Sequence, residues 1–164
     1  MHRRHNNRHR RYLPADAGRA GSRPCPPAVP YSSQRTDYGG QPLVMNMDRA
    51  AGSNPNYRTA LWTGQHLQIT LMCIPVGGDI GLEVHTDTDQ FIRIVQGTAT
   101  VRLGRTADTV RDTAHVDSHD AVIVPAGTWH NIVNSGSEPL RLYSVYAPPH
   151  HPAGTVWATK KDAE

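Results

Sequence analysis

From Tyr38 onward, Gly, Pro or Asp interrupts the chain every eight to twelve residues, and the stretches between are short and rich in β-branched residues. Each stretch is long enough for one strand, and the turn formers send each strand back beside the last, so the texture points to an antiparallel sandwich or barrel. The runs fall at 59–62, 66–74, 82–85, 90–96, 98–103, 121–124, 130–133 and 140–146. The separators include Pro75, Gly77 and Gly78, the polar turn Thr86-Asp87-Thr88-Asp89, Gly97, Gly104, Pro125 with Gly127, and Ser135-Gly136-Ser137. Gly 14 and Pro 13 in 164 residues also disfavour long helices. The expected fold class is all-β, a jelly-roll barrel over residues 38–155, with a short tail at 156–164.

Charge divides the chain in two. Residues 1–35 carry eight arginines against Asp16 alone, a net of +7, whereas the remaining nine basic and thirteen acidic residues leave the rest at −4. The pI of about 9.1 therefore belongs to the first segment, and the folded part is not a basic surface for nucleic acid. Residues 1–37 read as a disordered basic arm, rich in Arg, His, Asn and Pro and without apolar periodicity.

Cys25 lies among prolines and Cys73 in an apolar run, far apart and without CxxC spacing. No structural disulfide is expected, and the pattern fits a reducing compartment. The Arg10-Arg11 pair is followed by Tyr12-Leu13-Pro14-Ala15-Asp16 rather than by an apolar stretch, so it is not an export signal. No run approaches a membrane span. The expected location is the cytoplasm, with no membrane partner.

Two groups of residues carry chemistry. Glu83 and His85 are two apart in one run, so their side chains leave the same face. After the turn at 86–89, Gln90 opens the return strand diagonally opposite His85. Further on, Pro125 and Gly127 set a sharp turn that delivers His130 at the head of a strand, with Ile132 and Asn134 on the same face by parity.

The order Gly77, Glu83, His85, Gln90, Gly97 and then Pro125, Gly127, His130, Asn134 resembles the two motifs of the cupin superfamily. The first motif runs Gly, five residues, His, one, His, three or four, Glu, six, Gly. The second runs Gly, five, Pro, one, Gly, two, His, three, Asn. Two positions of the first motif are changed, and His119 stands at the first glycine of the second. The resemblance spans about Tyr38 to Thr155 and looks especially like a small bacterial branch labelled mannose-6-phosphate-isomerase-like. It implies a cupin-type double-stranded β-helix with one divalent transition metal ion (Mn, Fe, Ni, Co or Zn) held by Glu83, His85, Gln90 and His130.

The usual ligand set is three histidines and one glutamate. Here Glu83 replaces a histidine and Gln90 the glutamate, so the single negative charge has moved rather than vanished. If Gln90 stays back, Glu83, His85 and His130 have the makeup of a two-histidine, one-carboxylate face with open positions. The alternative is that the four polar groups satisfy one another by hydrogen bonds in a metal-free barrel. The resemblance thus implies either an enzyme acting on a small oxygenated molecule, by isomerase- or dioxygenase-type chemistry, or a non-catalytic module that binds a small ligand.

Other polar residues read as structural. His66, His115, His119, His150 and His151 have no motif partner and are expected at the surface, with 148–152 running over it. Tyr143 and Tyr146 lie on opposite faces of one strand, so one faces inward. Arg93 should point outward, leaving Arg102 and Arg141 as the cations available to an anionic ligand. Phe91 and Val95 fall on the face opposite Gln90, and this apolar outer face points to a homodimer.

Overall fold

The computed structural model describes residues 37–164, so the basic arm expected over 1–37 lies outside the described residues except for Asp37. A seven-residue helix, α1 (Met47–Ser53), precedes nine strands: β1 (Arg58–Thr63), β2 (Gln68–Ile74), β3 (Asp89–Gln96), β4 (Ala99–Gly104), β5 (Arg111–Val116), β6 (Ala121–Val124), β7 (Trp129–Asn134), β8 (Leu140–Ala147) and β9 (Val156–Trp157). Antiparallel pairing gives a six-stranded sheet, in the order β6-β3-β8-β2-β1-β9, and a three-stranded sheet, β5-β4-β7. The all-β jelly-roll expectation holds.

Alternation sorts the large sheet into an inner and an outer face. Across the inner face, Ile94, Leu142 and Met72 lie in register, and one strand-pair further Ile92 meets Ser144 and Thr70. Ile92, Ile94 and Leu142 are fully buried, each worth about 1.5–3 kcal/mol of hydrophobic stabilisation. The next row is polar: Gln90, Tyr146, Gln68 and Thr63 lie side by side on β3, β8, β2 and β1. The barrel is thus apolar at its base and polar at one end, where the motif residues gather.

Four features differ from the sequence expectation. Residues 82–85 form no strand; Glu83 instead makes one isolated bridge to His130, with backbone hydrogen bonds in both directions. β5 was not expected because five of its six residues are exposed, so it has no apolar alternation to read. Helix α1 is too short to show periodicity; Asn46 caps it by accepting from the Arg49 amide, and Ala51 packs on Leu61 and Leu71. Trp157 pairs with Arg58, so the sheet continues past 155 into the segment expected as a tail.

Cys73 on β2 is buried and disulfide-bonded, its partner lying outside the described residues. The expectation of two unlinked, reduced cysteines is corrected, and the cysteines no longer argue for a reducing compartment.

At the glycine turns, Gly97 has φ +90, and an added Cβ would stand 3.1 Å from the Leu140 Cα. His119, at the position where the second cupin motif has its first glycine, is the one non-glycine with positive φ (83°) among the described residues. The turn therefore keeps the backbone shape that the motif glycine normally supplies.

Candidate metal centre

Glu83, His85 and His130 each present a ligating atom to a common point, all within 4.8 Å of one another. The Glu83 Oε1 atom is the hub, 3.4 Å from His85 Nε2 and 3.3 Å from His130 Nε2. Gln90 Oε1 lies 2.9 Å from His130 Nε2. The structure thus brings all four sequence-derived residues to the polar end of the barrel. His85, Gln90 and His130 are buried there. The Glu83–His130 bridge sets one side of the site, and the Gly127 amide donates to the His85 carbonyl to tie the two motifs together at 2.7 Å.

The donor chemistry fits a cation. His130 Nδ1 lies 3.0 Å from the Thr128 carbonyl, which orients the ring with Nε2 toward Glu83 and Gln90. Gln90 Nε2 donates to Ser144 Oγ at 3.3 Å and Tyr146 Oη at 3.1 Å, which turns its oxygen toward His130. His130 Nε2 and Gln90 Oε1 face each other at 2.9 Å. Glu83 Oε1 and His85 Nε2 are buried and meet as an ion pair without a well-formed hydrogen bond, and His85 Nδ1 is buried with no hydrogen-bond partner. Groups left this way are costly unless something electrophilic sits among them. Separations of 2.9 to 3.4 Å match the edges of a coordination sphere, since bonds of about 2.1 Å at right angles put ligand atoms about 3.0 Å apart.

Burial works against the Glu83 carboxylate, but its contacts with His130 and His85 and the charge of Arg58 outweigh it and hold the carboxyl well below its usual range. It is therefore anionic, as a ligand must be.

Several residues around the site escaped the sequence reading. Tyr146 is the inward member of its pair, fully buried, with its ring edge-on to His85 at 5.7 Å. Tyr143 faces outward and packs near Phe91. His150 is exposed, as expected, but its ring centroid lies 4.0 Å from that of His85; His151 is half-buried, with its Nε2 2.7 Å from an Arg58 nitrogen. The segment around them folds across the polar end, tied down by the fully buried Gln68 side chain. Neither arginine left open as a cation for the site serves it: Arg102 pairs with Asp112 on the exposed β4–β5 hairpin, and Arg141 donates to the Asn54 carbonyl under α1. The inward cation is Arg58, which donates to Tyr146 Oη. Its only sequence signal is a charged residue heading an apolar run, Tyr57 to Trp62.

A family model described as a cupin domain matches residues 70–146. The Bacillus subtilis protein YrkC is 54% identical over 127 residues, covering 77% of this chain and 68% of that protein. A protein of Acanthamoeba polyphaga mimivirus is 40% identical over 118 residues, covering 71% of each. The crystal structure of BH2720 from Bacillus halodurans superposes with a TM-score of 0.77 at 50% identity, covering 78% of this chain and 97% of that one.

Proposed function

This chain belongs to the cupin superfamily, and we propose that it binds one divalent transition metal ion through Glu83, His85 and His130, with Gln90 as a fourth, weaker ligand. The observation that carries this reading is the convergence of ligating atoms of Glu83, His85 and His130, all within 4.8 Å of one another at the polar end of the barrel. One carboxylate and two imidazoles suit Mn, Fe(II), Co, Ni or Zn.

The metal would supply Lewis-acid or oxygen-binding chemistry to a small oxygenated molecule. The chain's own residues do the rest. His85 and His130 orient the site, Tyr146 holds the Gln90 amide in place, and the His150 ring packs on that of His85. The isomerase-like branch is one assignment within this reading and a dioxygenase the other; both use the same three ligands. The working unit is taken to begin near residue 38 and to include β9. A cytoplasmic location stays part of the proposal; no described helix is long and apolar enough to cross a membrane.

The same proposal includes a homodimer. On the outer face, Ile123, Phe91, Val145, Ile69 and Trp62 lie in register across five strands, and Ile123 is 71% exposed. Helix α1 packs with Val95, Tyr143, Leu71 and also Ile69, and the β6 end of the row, headed by Ile123, is left for a partner.

Metal content of freshly purified protein tests the central claim. Wild type should hold about one ion per chain, His85→Ala and His130→Ala none, Glu83→Ala much less, and Gln90→Ala nearly the wild-type amount. Equal metal in wild type and His85→Ala refutes the site, and the barrel is then a metal-free ligand-binding module.

A further inference from the structure

Arg58 lies on the inner face of the large sheet and is 2% exposed. Taking a guanidinium out of water is costly unless a carboxylate or comparable anion meets it. Among the described residues no acidic side chain does so: the ion pairs join Glu83 to His85 and His130, Arg102 to Asp112, and Lys160 to Asp79. Arg58 is held by neutral groups instead. One terminal nitrogen serves both the Tyr146 hydroxyl and His151 Nε2, and the Trp157 ring lies 5.8 Å from the guanidinium carbon. The Nε atom is buried with no partner. Burial, followed by the Arg58 charge, pushes His151 down to about 3, so the ring accepts from Arg58 and adds no charge.

The acid whose charge Arg58 feels is Glu83, which in the reading above is committed to the metal. A divalent ion, one carboxylate and one guanidinium then leave the barrel interior with excess positive charge. Arg58 is also close to that ion's ligands. Tyr146 Oη accepts from Arg58 and from Gln90 Nε2, the latter at 3.1 Å, so a single hydroxyl separates the guanidinium from a ligand residue.

We propose that Arg58 receives an oxyanion, a carboxylate or phosphate group, on the small molecule whose other end reaches the metal centre. The planar fork of arginine suits such a group, and a partnerless buried N–H is a donor waiting for one. The proposal rests on the metal reading for the ligand's second contact, but its test separates the two.

Calorimetry at fixed ionic strength would compare malonate, its neutral diamide malonamide, and inorganic phosphate on Co(II)-loaded wild type, Arg58→Gln and Arg58→Lys. Malonate or phosphate should bind wild type at least tenfold more tightly than Arg58→Gln, with Arg58→Lys between, while malonamide does not discriminate among them. The tighter anion identifies the group. Co(II) stoichiometry should be unchanged by Arg58→Gln, which separates loss of anion binding from loss of metal. If wild type takes up no Co(II), the metal reading fails, and the same titrations on metal-free protein still decide the role of Arg58. If the variants do not fold, the wild-type melting temperature decides: a rise with malonate or phosphate but not malonamide supports the proposal, and equal effects overturn it. It is also overturned if neither anion binds wild type, or if Arg58→Gln binds them equally well.

Discussion

Replacing Gln68 by Ala should loosen the cover of the site while sparing the barrel. The Gln68 amide is fully buried at the start of β2. It donates to Thr63 Oγ1 at 3.0 Å and to the His151 carbonyl at 2.8 Å, and accepts from the His150 and His151 amides at 3.2 and 2.8 Å. Four hydrogen bonds at about 1 kcal/mol net each set a ceiling of about 4 kcal/mol. Freeing the backbone of His150 and His151 returns about 1 kcal/mol apiece in conformational entropy. The balance is a loss of about 2 kcal/mol, measurable by urea unfolding followed by tryptophan fluorescence. Because the two amides bond to that side chain, Gln68→Ala should also raise their hydrogen-exchange rates at least tenfold, while amides of β3 and β8 change only by the global loss. A stability loss under about 0.5 kcal/mol with both amides still protected would refute the view that Gln68 anchors this segment.

The buried state of His151 gives stability a pH dependence. The folded ring titrates at about 3 and the unfolded one at 6.5, so between those values the unfolded chain holds more protons and stability falls as pH falls. The slope is at most about 1.4 kcal/mol per pH unit, and partial exposure of the ring reduces the expected loss from pH 7 to 4.5 to about 1 kcal/mol. Thermal melts in chelator should show His151→Asn losing less over this range than wild type, and parallel curves would refute the assignment. For association, sedimentation should find wild type dimeric at tens of micromolar and Ile123→Glu monomeric; a wild-type monomer there rules out the outer row as a dimer face.

Much of the barrel was legible because its cause is local. On β3, Gln90, Ile92 and Ile94 alternate with Phe91, Arg93 and Val95, and the structure buries the first set. The positions of Glu83, His85, Gln90 and His130 follow from spacing around the turns at 86–89 and 125–127. What stayed hidden depends on pairing between distant strands. Nothing near Gln68 or Arg58 in the chain announces that register sets Gln68 opposite Tyr146 and that the Arg58 side chain leans to the same hydroxyl. His150 and His151 follow two prolines and read as surface loop, yet that loop returns over His85. The pattern shows which face a residue takes, and only the assembled sheet shows which neighbours share that face.

The same exposure that hid β5 from the sequence reading bears on how this protein behaves in a crowded solution. β5 is the open edge of the small sheet, and its unpaired backbone groups are a template on which another chain's strand could add. Arg111 and Asp112 at its start, with the bulge that Thr113 makes opposite Val101 and Arg102, make that edge charged and irregular. Strand addition there is disfavoured, and because β5 buries almost nothing, the hairpin tip between β4 and β5 is where a foreign loop or affinity tag can be inserted with least cost to the barrel.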